Sequence, residues 1–173
     1  MITLNMNFLN TVVLAASKEP SRYYLNGVFI NDKDGFRHYT ATNGHILITA
    51  KEQIIDDPLP NDLLIEFKKP LKSKIDRCQL VINEKFVTLL YATEKPESFN
   101  LIDGKFPEYE RIIPKDDTPA ASEFCLFAPE YLKMIKDVYG VLNCKYQMEH
   151  KHAPCLITKD KSEFKTVLMP LNF

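Results

Sequence analysis

Several things are scarce in this chain, and each scarcity closes a route. No apolar run is long enough to cross a bilayer. The stretch Phe8–Ser17 (FLNTVVLAAS) is apolar and ends in small residues, but no Lys or Arg precedes Lys18, so the basic flank of a secretory signal is missing. The formal net charge is only −1 over 173 residues, so any affinity for nucleic acid has to rest on a local cluster of cations. Four cysteines (Cys78, Cys125, Cys144 and Cys155) are scattered without the spacing of a disulfide scaffold, which fits a reducing cytoplasm. No glycine-rich loop for nucleotide phosphates occurs. His45 has no Ser or Cys partner placed by motif, and Asp56-Asp57 and Asp116-Asp117 fall in proline-containing linkers expected to be solvated. The chain is therefore not expected to be an enzyme, nor to need a cofactor.

What is present is an ordinary globular composition, 45% apolar and 26% charged, arranged as a repeat. Met1–Asn5 predicts a short strand. Asn5 or Asn7 caps a helix from about Phe8 to Lys18, with Phe8, Val12, Ala15 and Ala16 on one face and Pro20 beyond its end. Strands follow at Tyr23–Ile30, Phe36–Thr42 and His45–Ala50. Asn31-Asp32-Lys33-Asp34-Gly35 forms a hairpin turn, and Asn26-Gly27 and Asn43-Gly44 are sites where positive φ is affordable. The pattern restarts after Asp56–Pro60: a strand at Asp62–Phe67, a helix from Pro70 to about Cys78, then strands at Gln79–Asn83, Phe86–Tyr91 and Glu97–Ile102. A third round has a strand at Glu123–Phe127 and a helix opened by Pro129-Glu130 and ended by Gly140. Tyr131, Leu132, Ile135, Val138 and Tyr139 mark its buried side. Strands at Lys145–Met148, Pro154–Thr158 and Phe164–Met169 close the chain. Strand–helix–three strands thus recurs three times with a period of about 55 residues, an α+β chain.

Three blocks resemble one family. Arg22-Tyr23-Tyr24-Leu25-Asn26-Gly27 with Ala41-Thr42-Asn43-Gly44-His45-Ile46-Leu47 is similar to the second-domain signature of bacterial DNA polymerase III beta sliding clamps. Ile102–Pro114 (IDGKFPEYERIIP) resembles the family's connector, and Val167–Phe173 (VLMPLNF) its closing strand. Asn43 and Ile46 depart from the family's Asp and Arg. The resemblance implies a DNA-clamp fold of one and a half domains, with helices on the inner face and sheets outside. Residues 1–114 would be a complete clamp domain (half-repeats 1–57 and 58–114) and 115–122 a linker. Residues 123–173 would be a half domain completed by another chain.

By the same resemblance the protein is a DNA sliding clamp, or processivity factor, of a bacterial or phage-infected cell. It would encircle double-stranded DNA without reading sequence and tether a replicative polymerase, with a clamp loader as a possible further partner. The partner-peptide pocket would comprise Leu25, Thr42, Gly44, His45, Leu47, Pro114, Val167, Leu168, Met169, Pro170 and Leu171. DNA-facing residues would be Arg22, Tyr23, Tyr24, Lys68, Lys69, Lys72, Lys133 and Lys136. Counting half-repeats implies a tetrameric ring with two-fold relations, third repeat to third repeat and the first repeat's free edge to another first repeat. The alternatives are a non-encircling module that binds a polymerase or modulates a host clamp, and a zinc protein built on Cys144, His150, His152 and Cys155, whose ligand types suit Zn²⁺ but whose spacing is not that of a standard finger.

Overall fold

The computed structural model describes residues 1–67, 69–71, 75–121 and 125–171. Strand β1 (Thr3–Asn5) leads into helix α1 (Met6–Val12), which Asn5 caps by accepting the Phe8 amide on its side-chain oxygen at 3.2 Å. The helix is shorter than its apolar pattern predicts and tightens into a 3-10 turn over Val13–Ala15. Adjacent β-branched Val12 and Val13 lose side-chain freedom in a helix, which weakens its last turn. The expected strand at Tyr23 begins instead as a 3-10 turn, Pro20–Leu25, and extended backbone starts at β2 (Val28–Lys33). Pro20 at the head of that turn supplies its φ in advance.

β2 pairs with β3 (Phe36–Thr42) through a two-residue turn at Asp34-Gly35, with φ values of 53° and 80°. Both positive angles are those of the tight hairpin turn whose twist suits antiparallel strands. β4 (Ile46–Gln53) follows, then β5 (Leu63–Ile65), β6 (Arg77–Ile82), β7 (Phe86–Leu90) and β8 (Glu97–Asn100). The helix expected over 70–78 is not seen among the described residues, and Lys72 to Lys74 lie outside them. Arg77 and Cys78 belong to β6, where Cys78 and Leu80 are buried and Arg77 and Gln79 exposed. Alternating burial against β1, with Leu4 opposite Cys78, outweighs the helical spacing of the lysines before it.

The first two half-repeats exchange strands. β1 of the first lies in the sheet of the second, in the order β1-β6-β7-β8, and β5 of the second lies beside β2 of the first. Gly27 marks the close approach at that second exchange, since a Cβ there would sit 2.2 Å from the Ile65 carbonyl oxygen. Its role is room for a backbone neighbour; the positive φ expected at this position is absent.

In the third round, helix α2 (Pro129–Tyr139) ends at Gly140 in the left-handed conformation, whose amide reaches the Lys136 carbonyl at 2.7 Å. The buried Tyr139 hydroxyl lies 2.8 Å from the Ile157 carbonyl, 3.2 Å from that of Phe164 and 3.1 Å from the Thr166 hydroxyl. Strands β9 (Lys145–Gln147), β10 (Cys155–Thr158) and β11 (Phe164–Leu168) complete it, and Cys125–Phe127, the described part of the expected strand at 123–127, is not extended into a ladder. β11 pairs antiparallel with β4, from Phe164 opposite Ala50 to Leu168 opposite Ile46. The result is one seven-stranded sheet, β5-β2-β3-β4-β11-β10-β9, built from strands of all three repeats. The first repeat's edge is thus filled within the chain, and it is not free to meet another first repeat.

One helix-side core runs through all three repeats, from Leu4, Phe8 and Val12 through Ile46 and Ile48 to Ile135 and Leu168. The opposite face of the long sheet is covered by a strap. Its residues run from Ile102, whose amide bonds the Leu64 carbonyl at 2.8 Å, past Phe106 stacked on Phe29 at 4.8 Å, to Asp116 paired with Lys165 at 2.7 Å. The strap finishes along β9, with Met148 donating to the Pro119 carbonyl at 3.1 Å and Ala121 donating to the Tyr146 carbonyl at 3.0 Å. Buried Gln147 donates to the carbonyls of Asp116 and Thr118. The sheet edge expected to lie bare in the third repeat is therefore closed by the chain's own connector.

Asp56 is not solvated as its linker position suggested. Arg37, 2% exposed, makes a two-pronged contact with Asp32 at 2.9 Å and reaches Asp56 at 3.1 Å and the carbonyls of Thr3 and Asp57. Asp57 stays exposed beside the terminal amine. Burial pushes the Asp56 carboxyl up, but the Thr3 hydroxyl and amide and the Arg37 charge outweigh it and hold the group below the usual carboxylate range. Such a group lends stability that is complete above its unfolded value of about 3.9 and is lost as pH falls through the folded value. Asp56→Asn should cost about 1–3 kcal/mol near neutrality. In urea denaturation the gap between variant and parent should narrow as pH is lowered toward about 2, where both carry a neutral group.

Candidate interface at the β4–β11 junction

Several of the predicted pocket residues gather on the strap side of the β4–β11 pair. Alternation along a strand sends neighbours to opposite faces. Leu47 and Val167, directly opposite each other, face the strap and cluster with Leu25, Leu64, Phe106, Tyr109 and Leu156, with Tyr24, Phe29, Ile102 and Ile113 packed alongside. Leu168, predicted for the pocket, faces the other way and is fully buried in the helix-side core, as is Ile46. Ile46, standing where the resembled family has Arg, therefore puts no group on the groove side.

The β3–β4 turn stands beside this cluster. Asn43 accepts the amides of His45 at 2.9 Å and Ile46 at 3.0 Å, and the Thr42 hydroxyl accepts the Gly44 amide at 3.1 Å while donating to the Ile46 carbonyl at 2.8 Å. An amide side chain does here what a carboxylate would, because only the acceptor oxygen is used. Gly44 sits at φ 91°, and a Cβ on it would meet the Arg22 guanidinium at 2.9 Å. Gly44 and His45 are exposed, and the His45 ring stacks on Tyr131 of α2 at 6.1 Å and 20°. Met169, half-buried, donates its amide to the His45 carbonyl at 2.9 Å. Pro170 is buried, Pro114 half-buried and Leu171 43% exposed, its amide bonded to the Leu126 carbonyl at 2.8 Å. Met169 and Leu171, partly exposed beside the open turn, leave a pliable apolar surface there.

Sequence reasoning missed Leu64, Phe106, Tyr109, Leu156 and Tyr131 at this place. Phe106 and Tyr109 carried a signal, two aromatics in a proline-containing connector. Leu64, Leu156 and Tyr131 carried none, because nothing local says which strands become neighbours.

The predicted DNA-facing residues do not form one group with these. Arg22 reaches the Asn43 carbonyl at 3.5 Å and Glu19, and Tyr24 packs on the groove cluster, so both belong to the junction. Tyr23 is 54% exposed, and Lys69, Lys133 and Lys136 are exposed, the last two at i,i+3 on α2. Lys68 and Lys72 lie outside the described residues.

The cysteine–histidine run does not converge. Cys155 points into the core from β10, His150 and His152 are exposed, and no group of three or more candidate ligands gathers among the described residues. Burial pushes the Cys155 thiol up to about 12 and raises the Cys144 thiol as well. Zinc binding needs thiolates. Native protein should therefore show no zinc-dependent rise in Tm, and a thiol reagent at about pH 8 should label Cys155 only upon unfolding. Labelling of Cys155 at the rate of a free thiol would contradict the core placement.

Paired half-repeats that exchange strands, with helices on one face and long sheets on the other, define the DNA-clamp fold. The model of the DNA polymerase III beta subunit, central domain, matches residues 4–108, and the chain belongs to that family. The beta sliding clamp of Caulobacter vibrioides is 30% identical over 114 residues, covering 60% of this chain and 30% of that protein. Of solved structures, the C. crescentus beta sliding clamp superposes with a TM-score of 0.81 at 18% identity, over 99% of this chain and 65% of that one. The beta chain from Streptococcus pneumoniae gives 0.80 at 15%, over 99% and 64%. The chain thus spans less than a third of the curated relative's length and just under two thirds of the solved chains. No helix among the described residues is long and apolar enough to cross a membrane.

Proposed function

We propose that this chain is a subunit of a DNA sliding clamp. It tethers a replicative polymerase to duplex DNA through a short peptide held at the β4–β11 junction, and carries out no chemistry itself. The observation that carries this is the meeting, on one face, of Leu25, Leu47 and Val167 beside the open Thr42–His45 turn and Met169. These are the positions at which the family resemblance puts partner peptides. Tethering works by raising the effective concentration of polymerase at its template, so the groove need not bind tightly. Clamp loading by a separate protein, and work in the cytoplasm of a bacterial or phage-infected cell, go with this function.

DNA contact would come from exposed lysines, Lys133 and Lys136 of α2 and Lys69, acting on phosphate without reading bases. Encirclement requires several chains. The third repeat keeps Leu126, Val141 and Leu142 between 40% and 48% exposed around α2, and its sheet edge is closed by the strap. Pairing of third repeats about a two-fold axis would then run through α2 and these side chains rather than through strands. With a second two-fold interface on each chain, four chains would make a ring of six domains.

Two measurements separate the parts of this proposal. Met169→Asp puts a carboxylate into the apolar groove without touching the core. It should abolish binding of a clamp-binding peptide, read by fluorescence anisotropy, with the melting temperature preserved; an unchanged affinity in a folded variant refutes the groove. Lys133→Glu with Lys136→Glu should weaken retention on closed circular DNA and lower the slope of log affinity against log salt by about 1.8, while peptide binding persists. A chain that binds the peptide yet runs as a monomer in light scattering would be a non-encircling module.

A further inference from the structure

A peptide bound at the β4–β11 junction has first to reach it. Leu25, Leu47 and Val167 are 4%, 1% and 1% exposed, in one cluster with Phe106 and Tyr109 of the strap. The two aromatics are themselves buried, Phe106 stacked on Phe29 at 4.8 Å and Tyr109 edge-on to it at 6.4 Å. The apolar floor is therefore covered in the free chain, and what covers it is the chain's own connector.

That connector is tied at its ends and loose between them. At one end the Ile102 amide bonds the Leu64 carbonyl at 2.8 Å. At the other, Asp116 pairs with Lys165 at 2.7 Å, and its carbonyl accepts the Gln147 side-chain amide at 3.1 Å. From Asp103 to Pro114 the backbone bonds run inside the strap, from the amides of Tyr109, Arg111 and Ile113 to the carbonyls of Pro107, Glu108 and Glu110. None reaches the sheet among the described residues. Lys33 meets Glu110 at 2.6 Å, but both side chains are about half exposed, and such pairs add little. The rest of the hold is Phe106 and Tyr109. The seat of Tyr109 is imperfect. Its hydroxyl is buried without a hydrogen-bond partner, Thr40 beside it being paired with Thr49 at 2.9 Å. A buried polar group without its bond weakens the contact that buries it. Space adjoins the span as well: a cavity of about 190 Å³ between Tyr109 and Ile113 on the strap and Thr49 and Lys165 on the sheet, and a cleft of about 730 Å³ along Gly104 to Arg111 beside β2. Few ties and loose packing are the features of a segment that opens locally while the rest stays folded.

We infer that the strap from Gly104 to Pro114 is a lid on the peptide site, and that Phe106 and Tyr109 are an internal ligand which an incoming peptide displaces. The peptide has then to supply what leaves: apolar side chains, an aromatic ring among them, for the place over Leu47 and Val167. Its affinity is set by the fraction of chains whose lid is open, because only those can bind. The Lys33–Glu110 pair is the latch most easily undone, being exposed and screened by salt. The ends of the strap stay fixed, so opening leaves the sheet its brace. The inference rests on the peptide reading of this junction and adds its regulation.

Val167→Cys, combined with Cys125→Ser and Cys144→Ser, puts a thiol on the covered floor and leaves Cys78 and Cys155 in the helix-side core as controls. With no peptide present, a thiol reagent should label the introduced thiol about a hundredfold faster than the two controls, which wait for unfolding. Lys33→Met should speed that labelling about threefold and Tyr109→Ala about tenfold, and each, with Val167 in place, should tighten binding of a clamp-binding peptide by the same factor, since both readouts count open chains. Lys33→Met keeps the test decisive if Tyr109→Ala does not fold. Equal labelling of all three thiols, or faster labelling with unchanged or weaker peptide binding, overturns the lid. If the parent binds the peptide while the three thiols label alike, the lid falls and the peptide reading stands. If the introduced thiol labels first but neither the parent nor the loosened variants bind the peptide, the peptide reading falls and takes the lid's purpose with it.

Discussion

The structure depends on the pairing of β4 with β11. Its five register positions, Phe164 to Leu168 against Ala50 to Ile46, turn two separate pieces of the chain into one sheet. Each face of that pair then has its own job. Ile46, Ile48 and Leu168 go to the helix side and merge the third repeat's core with the first's. Leu47 and Val167 go to the strap side and form the floor on which the strap's Phe106 and Tyr109 pack. Burying side chains of this size contributes about 1.5–3 kcal/mol each, so the same residues that hold the repeats together also shape the interface. A one-residue slip would send both sets to the wrong face.

The strap makes the pairing harder to open. Its bonds start on β5 at Leu64, pass over β2 and β11, and end on β9 at Tyr146 and Met148, so it spans the sheet from one edge to the other. Asp116, held below the usual carboxylate range by its bond to Lys165, ties it where it crosses β11. The connector that separates two repeats in sequence is, in space, a brace across them. Closing the β9 edge with Pro119, which has no amide to offer, also discourages further strand addition there.

Much of this was legible in the residues. Asp34-Gly35, Pro129 and Gly140 punctuate as their chemistry requires, and Asn5 caps the helix it precedes. The failures have physical causes. Lysines at helical spacing suggested a helix over 70–78, but Cys78 is drawn into β6 by burial against Leu4, a partner far away in sequence. Asp56 looked like a linker acid because no local pattern shows that Arg37 is buried beneath it. For the candidate site, Leu25, Leu47 and Val167 were gathered by likeness to a family, whereas Leu168 was misassigned to the groove, since a motif lists residues without saying which way each one faces. Leu156 and Tyr131 needed the third dimension.

The exchange of strands between the first two half-repeats has a consequence for how the chain comes to be folded. Thr3 lies opposite Gln79 and Leu4 opposite Cys78, while Val28 lies opposite Ile65. On a ribosome the first half-repeat emerges long before the strand that β1 must join, and β4 then waits for β11, more than a hundred residues further on. β1 and β4 therefore present apolar side chains without strand partners until β6 and β11 have been made. Contacts this distant in sequence slow folding, and they bind the repeats into one cooperative folding event rather than a sequence of repeats folding one after another.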